Sequence, residues 1–159
     1  MRTLFKHFGL YIGWMIALVA MGGSLYFSEA RSFVPCLLCW YQRILMYPLV
    51  ILLGIASYRQ DRAIGIYVLP FTVTGAGVAL YHYLDQKIPG FGAPELCQVG
   101  VPCSVAYINW FGFVTIPFLA LTAFVLITVF VLGAMLSVGA SRTSSAPAEG
   151  ARPDSAPQT

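Results

Sequence analysis

Charge is what this sequence has least of. Of its 159 residues only 9% are Asp, Glu, Lys or Arg, where a soluble domain carries about a quarter. Hydrophobic residues make up 58%, so a soluble globular chain is excluded and a membrane protein is indicated. Segments of about ten residues with alternating polarity are missing, which argues against a transmembrane barrel. No heptad pattern is sustained, and there is no haem-ligation motif, dinucleotide fingerprint or soluble cofactor domain. Helices are then the form left for crossing lipid, because the hydrocarbon has no water to satisfy backbone groups.

What is present is a set of four apolar stretches, each near the ~20 residues that a helix needs to span a bilayer. They cover residues 8–27, 40–58, 63–84 and 110–138. The expected fold is therefore all-α and integral to the membrane, a four-transmembrane-helix bundle within residues 1–140 with two cysteine-bearing loops. Ser28 and Ala30 in "SLYFSEA" offer signal-peptide cleavage positions. The apolar run before them exceeds the roughly 7 to 15 residues of a signal core, so a retained helix is expected. Arg2 and Lys6 precede the first stretch, Arg59 and Arg62 fill the turn "SYRQDR", and Arg142 follows the fourth. By the positive-inside rule both termini are cytoplasmic and both longer loops extracytoplasmic. The Ser-, Ala- and Pro-rich segment 141–159 reads as a disordered cytoplasmic tail.

All four cysteines fall on the outer, oxidising side, where disulfides persist. Four cysteines allow three pairings; spacing favours Cys36 with Cys39 and Cys97 with Cys103 without deciding the matter. The stretch "VPCLLCWYQR" puts a C-x-x-C at a helix start, behind Pro35. Free N–H groups there favour thiolate, which gives Cys39 a reason to be acidic. Arg43 lies one turn further along the same face, where it either snorkels to headgroups or stabilises negative charge on Cys39 or on a reduced acceptor. Two disulfide-capable pairs suggest electron transfer by thiol–disulfide exchange, and a quinone dissolved in the membrane is a chemically reasonable acceptor. Two other readings are a structural tetraspan protein whose disulfides brace its loops, and a four-cysteine zinc site. Trp40, Tyr41, Tyr81, Tyr83 and Trp110 read as an interfacial belt. Pro48, Pro70 and Pro117 mark kinks, and Gly22, Gly23, Gly75 and Gly77 mark close helix packing.

"PCLLCWYQRILMYP", "YHYLDQK", "LCQVGVPC" and "YINWFGFVTIPF" together resemble the bacterial DsbB-type membrane thiol oxidases, and most closely the BdbC-like branch, over about residues 5–135. The resemblance implies an oxidoreductase of the bacterial cytoplasmic membrane that reoxidises an extracytoplasmic thioredoxin-like thiol oxidase of the DsbA/BdbD type. Its electrons would pass to a quinone, menaquinone or ubiquinone, in support of disulfide formation in exported proteins; no metal and no nucleic acid are implied. Carried over residue by residue, Cys97 would form the mixed disulfide with the partner, and Cys103 would be its mate. Cys36 would exchange with that pair, and Cys39 would pass electrons to the quinone beside Arg43. His82 matches a family histidine that would shape the quinone pocket or move a proton. Vitamin K epoxide reductase-like proteins also combine four helices with a quinone, but there the C-x-x-C follows the loop pair, whereas here it comes first. The Cys97–Cys103 spacing is shorter than in the best-known Gram-negative members, as in the BdbC-like branch, and this limits how far the two pairs can rearrange.

Overall fold

The computed structural model describes residues 2–88, 90–91 and 101–142, with side chains described except in 2–7, 62 and 137–142. Cys97 and residues 143–159 of the predicted tail lie outside the described residues. Four long helices account for most of the rest: α1 Arg2–Leu25, α2 Leu37–Arg59, α3 Gly65–Lys87 and α4 Ile116–Arg142. α1 runs on into a π-helical turn, Tyr26–Ala30.

α2 starts where its sequence provides a start. Cys36 is the extended N-cap residue (ψ 172°), and its carbonyl accepts the first helical bond, from the Trp40 N–H at 3.1 Å. At the other end Gln60 turns left-handed (φ 52°), and Asp61 then accepts from the Ala63 N–H at 2.9 Å. This short connection returns the chain antiparallel as α3. Pro48 and Pro70 lie inside α2 and α3, whereas Pro117 sits in the first turn of α4, where its missing N–H costs nothing.

The helices form a ring in which α1 packs on α2 and α4, and α3 packs on the same two, with few contacts across the diagonals. Leu49, Leu53, Val68, Phe124, Ile127 and Val131 are fully buried at its centre. Of the four glycines expected at close contacts, only Gly75 has a neighbour: a Cβ there would overlap the Phe124 ring, while Gly22, Gly23 and Gly77 have nothing within 4 Å. Gly9, Gly54 and Gly65 make other tight seams, against Phe130 and Ala134, against Trp14 and against Met135. The seams at Gly9 and Gly65 lie at the end of the bundle that holds the α2–α3 turn.

Two features of the bundle differ from the sequence expectation. The fourth helix begins at Ile116 and not at Trp110, because Phe111 (φ 54°) and Gly112 (φ 79°) are left-handed and Trp110 pairs with Val114 in a tight turn. A hydropathy profile cannot register that turn, since its residues are as apolar as the helix that follows. Among the described residues three segments are long and apolar enough to cross a membrane: Phe8–Ala30, Leu37–Arg59 and Ile116–Leu136. α3 matches them in length with 23 residues but not in apolarity, its run being diluted by Thr72, Thr74, Gly75, Gly77 and His82. The chain is thus an all-helical, multi-pass membrane protein.

Candidate functional site

The start of α2 brings Cys36 and Cys39 together. Cys36, at the N-cap, is 6% exposed, and Cys39, in the first helical turn, is half-buried. Both are free thiols, with their sulfurs 3.0 Å apart and sharing a hydrogen bond. α2 begins at Leu37, three residues earlier than hydropathy suggests, and the acidity expected at Cys39 falls on Cys36. The bond from Cys39, then that from His82, hold the Cys36 thiol at about 4 against an ordinary 9.0, outweighing the burial that pushes it up.

His82 comes from α3 and is 1% exposed. Its Nε2 lies 3.6 Å from the Cys36 sulfur and 3.2 Å from the Cys103 carbonyl oxygen, and its Nδ1 lies 2.9 Å from the Gln42 side-chain nitrogen. The Gln86 amide donates to the same Cys103 carbonyl at 3.3 Å and to that of Val105 at 3.3 Å. These bonds hold the segment before α4 against the end of α3, beside the start of α2. Cys103 ends 1% exposed in a cluster with Cys36 and Leu38, and it is disulfide-bonded.

The donor atoms of Cys36, Cys39 and His82 lie within 4.8 Å of one another, close enough to suggest a metal centre. The bonding argues for another use. The imidazole nitrogen nearest the sulfurs is already engaged, 3.2 Å from the Cys103 carbonyl oxygen and 3.5 Å from the Gln86 amide nitrogen. Two thiolates on one tetrahedral zinc, with bonds of about 2.3 Å, would stand about 3.8 Å apart, further than these sulfurs do.

On the other face of Cys39 a cavity of about 660 Å³ opens between α1, α2 and α4. Cys39, Gln42 and Arg43 meet Ser24 and Ser28 at one end; the rest is mostly apolar, with Ile12, Met15, Val19, Leu119 and Ala123 among its walls beside Tyr11, Tyr47 and Thr122. Arg43 does not reach for headgroups. It donates to the Ser24 carbonyl at 2.9 Å and to the Ser28 hydroxyl, and its guanidinium lies 5.7 Å from the Trp40 ring centre. His82 does not line this cavity; it borders a small cleft beside Cys36, Gln86 and Tyr107. Phe27, Phe33 and Tyr107 line the end near Arg43.

The structure thus gathers Cys36, Cys39, Arg43, His82 and Cys103 at one end of the bundle, while Cys97 lies outside the described residues. Sequence reading passed over Gln42 and Gln86, and it treated Ser28 only as a cleavage position. Gln42 left one signal: a buried amide inside an apolar span, which in membrane helices usually marks a site.

Comparison with known proteins identifies the family. The family described as "Disulfide bond formation protein DsbB" matches residues 6–134. "Disulfide bond formation protein C" of Bacillus subtilis (strain 168) is 62% identical over 117 residues, 74% of this chain and 85% of the relative. "Probable disulfide formation protein C 1" of Bacillus anthracis is 52% identical over 120 residues, 76% of this chain and 86% of the relative. A "Probable disulfide formation protein" of Coxiella burnetii (strain CbuK_Q154) is 50% identical over 121 residues, 76% of this chain and 82% of the relative. No solved structure matches.

Proposed function

Because the chain belongs to the DsbB family of disulfide bond formation proteins, we propose that it reoxidises an extracytoplasmic thioredoxin-like thiol oxidase and delivers the electrons to a membrane quinone. In this reading all four helices span the cytoplasmic membrane, the termini are cytoplasmic, and the cysteines act as two redox pairs, Cys36–Cys39 and Cys97–Cys103. One observation carries it: Cys36 packs against the disulfide-bonded Cys103 while its neighbour Cys39 lines a large apolar cavity. The C-x-x-C pair so stands between a second redox centre and a lipid-like space.

The cavity suits a quinone. Its volume falls in the range of about 300 to 1,000 Å³ usual for small-molecule sites, and the charged residue of its lining, Arg43, stands at the end that holds the reactive sulfur. A quinone held there by Arg43 and Cys39 would supply an acceptor for two electrons and two protons. The remaining steps belong to the cysteines. A thiolate of the reduced partner attacks Cys97, breaking the Cys97–Cys103 bond and releasing the Cys103 thiolate. Cys103 attacks Cys36, the Cys36–Cys39 bond breaks, and Cys39 leaves as thiolate. The partner's second thiol then resolves the mixed disulfide and frees Cys97. Attack of Cys97 on Cys103 restores the loop pair and releases Cys36. The partner has lost two electrons, and the helix-2 pair holds them as dithiol, the form in which Cys36 and Cys39 stand in this structure.

The test is quinone reduction by purified protein in detergent, with a reduced thioredoxin-like oxidase as donor. Donor-dependent quinone loss that disappears in Cys39→Ser supports the reading. Absence of turnover with both menaquinone and ubiquinone analogues, with both pairs inert to the donor, would leave the structural tetraspan reading in its place.

A further inference from the structure

Gln42 has no part in the scheme above, yet it is 6% exposed, lines the large cavity and bonds His82 from the opposite side to Cys36. A buried amide in an apolar span costs free energy unless its hydrogen bonds are made, so its partner matters.

Resting on the proposed function, we propose that Gln42 is a positioning residue of the relay: its side-chain N–H fixes His82 as the Nε2–H tautomer, so that one imidazole proton serves both the Cys36 sulfur and the Cys103 carbonyl. The contacts on Nε2 do not choose by themselves: the Cys103 carbonyl, 3.2 Å away, can only accept, whereas the Gln86 amide nitrogen, 3.5 Å away, can only donate. The contact on Nδ1 decides. The Gln42 side-chain nitrogen, 2.9 Å from it, can only donate, so in a neutral ring Nδ1 is the lone pair and Nε2 bears the hydrogen.

The arrangement serves one step of the exchange. When Cys97 attacks Cys103, the Cys97–Cys103 bond forms, the Cys36–Cys103 bond breaks, and Cys36 departs as thiolate; no electron leaves the three cysteines. Exchange quickens when the leaving sulfur is a more stable thiolate, and the Nε2–H, 3.6 Å from Cys36, is placed to stabilise it. The same N–H, with the Gln86 amide, holds the Cys103 backbone in reach of that sulfur. With the opposite tautomer a lone pair would face both the thiolate and the carbonyl, and the two would be repelled. Gln42 thereby ties the cavity wall to the exchange site without touching either reacting sulfur.

The tautomer can be read directly. Full-length protein labelled with ¹⁵N-histidine, in a His7→Gln background that leaves His82 as the single histidine, is reduced at the helix-2 pair and examined by NMR. Wild-type Gln42 is expected to give an Nε2-protonated ring; Gln42→Leu a mixture of tautomers; and Gln42→Glu, whose carboxylate can only accept, an Nδ1-protonated one. Alongside, electron transfer from the loop pair to the helix-2 pair is followed by rapid alkylation. Loss of a hydrogen bond that supports a charged group predicts a slowing of about tenfold in Gln42→Leu. Quinone reduction by a helix-2 pair charged with small dithiol, in protein lacking the loop cysteines, is followed in the same variants, because Gln42 also lines the cavity. An unchanged ring in Gln42→Leu and Gln42→Glu, or transfer from the loop pair to the helix-2 pair at the wild-type rate, overturns the proposal. Failure of wild-type protein to reduce quinone would instead overturn the proposed function, since the ring's protonation is read without turnover.

Discussion

Phe33 and Tyr107 stack almost face to face, ring centres 4.7 Å apart and planes 12° from parallel, although one precedes α2 and the other precedes α4. Phe27 continues the stack on the far side of Phe33 at 6.0 Å, and the Tyr107 hydroxyl donates to the Val34 carbonyl at 3.2 Å. All three rings line the cavity at its polar end. Tyr107→Ala is expected to lower stability in detergent by about 1 kcal/mol, the usual worth of an aromatic pair, and to raise the KM for quinone more than that for the protein donor. Tyr107→Phe, which keeps the stack and loses only the hydroxyl bond, should fall between. Thermal unfolding and steady-state kinetics on the two variants check both statements.

Cys39 and Cys97 are assigned to different half-reactions. Cys39→Ser should abolish quinone reduction whatever the donor. Cys97→Ser should still reduce quinone from a small dithiol but fail to oxidise the protein partner. Complete loss of both half-reactions in Cys97→Ser would contradict the order of exchange.

Arg43 is anchored to the end of α1 by the Ser24 carbonyl and the Ser28 hydroxyl, so its removal should loosen the cavity wall as well as remove a charge. Arg43→Ala is expected to raise the KM for quinone about tenfold, equivalent to about 1.4 kcal/mol, with the KM for the partner unchanged. Arg43→Lys should recover only part of this, since an ammonium lacks the planar fork. Equal quinone kinetics in all three proteins would reduce Arg43 to a packing residue.

The Cys36 thiol is held at about 4, first by its bond with Cys39. The sign is that of a depressed acid: thiolate persists at every pH above that value and is lost only as pH falls through it. In the reduced protein the alkylation rate of Cys36, read peptide by peptide by mass spectrometry, should therefore stay flat from about pH 8 to about pH 5. In Cys39→Ala, with the main stabilising bond gone, the rate should already decline over that interval.

Gly75 is the seam between α3 and α4. Gly75→Ala forces a methyl into the Phe124 ring and should cost about 1 to 3 kcal/mol. Gly77→Ala, two residues on, meets nothing within 4 Å and should be neutral or slightly stabilising through helix propensity. Unfolding in mild detergent compares the pair.

Much of the site was legible in the chain itself, for physical reasons. C-x-x-C places two sulfurs one helical turn apart wherever the helix starts, and Arg43 follows on the same face by the same geometry. The pairing of Gln42 with His82 was not legible, because residues 40 apart on different helices meet only through the packing of α2 on α3. Trp110–Thr115 misled for a related reason: backbone handedness at Phe111 and Gly112 ends a pattern that apolarity alone would continue. The glycines show the same limit, since Gly75 and Gly77 are alike in sequence and opposite in surroundings.

Close seams and open space are unevenly shared along the bundle. Gly9 against Ala134 and Gly65 against Met135 pinch it at one end, and the free volume gathers towards the other, with Met15, Val19 and Leu119 both lining the cavity and exposed on the surface of α1 and α4. In a bilayer that surface faces acyl chains. A hydrophobic acceptor could therefore slip in sideways from the lipid while a protein donor docks from the aqueous side. The two substrates would never share a solvent, and the only traffic between them would be electrons handed along sulfur.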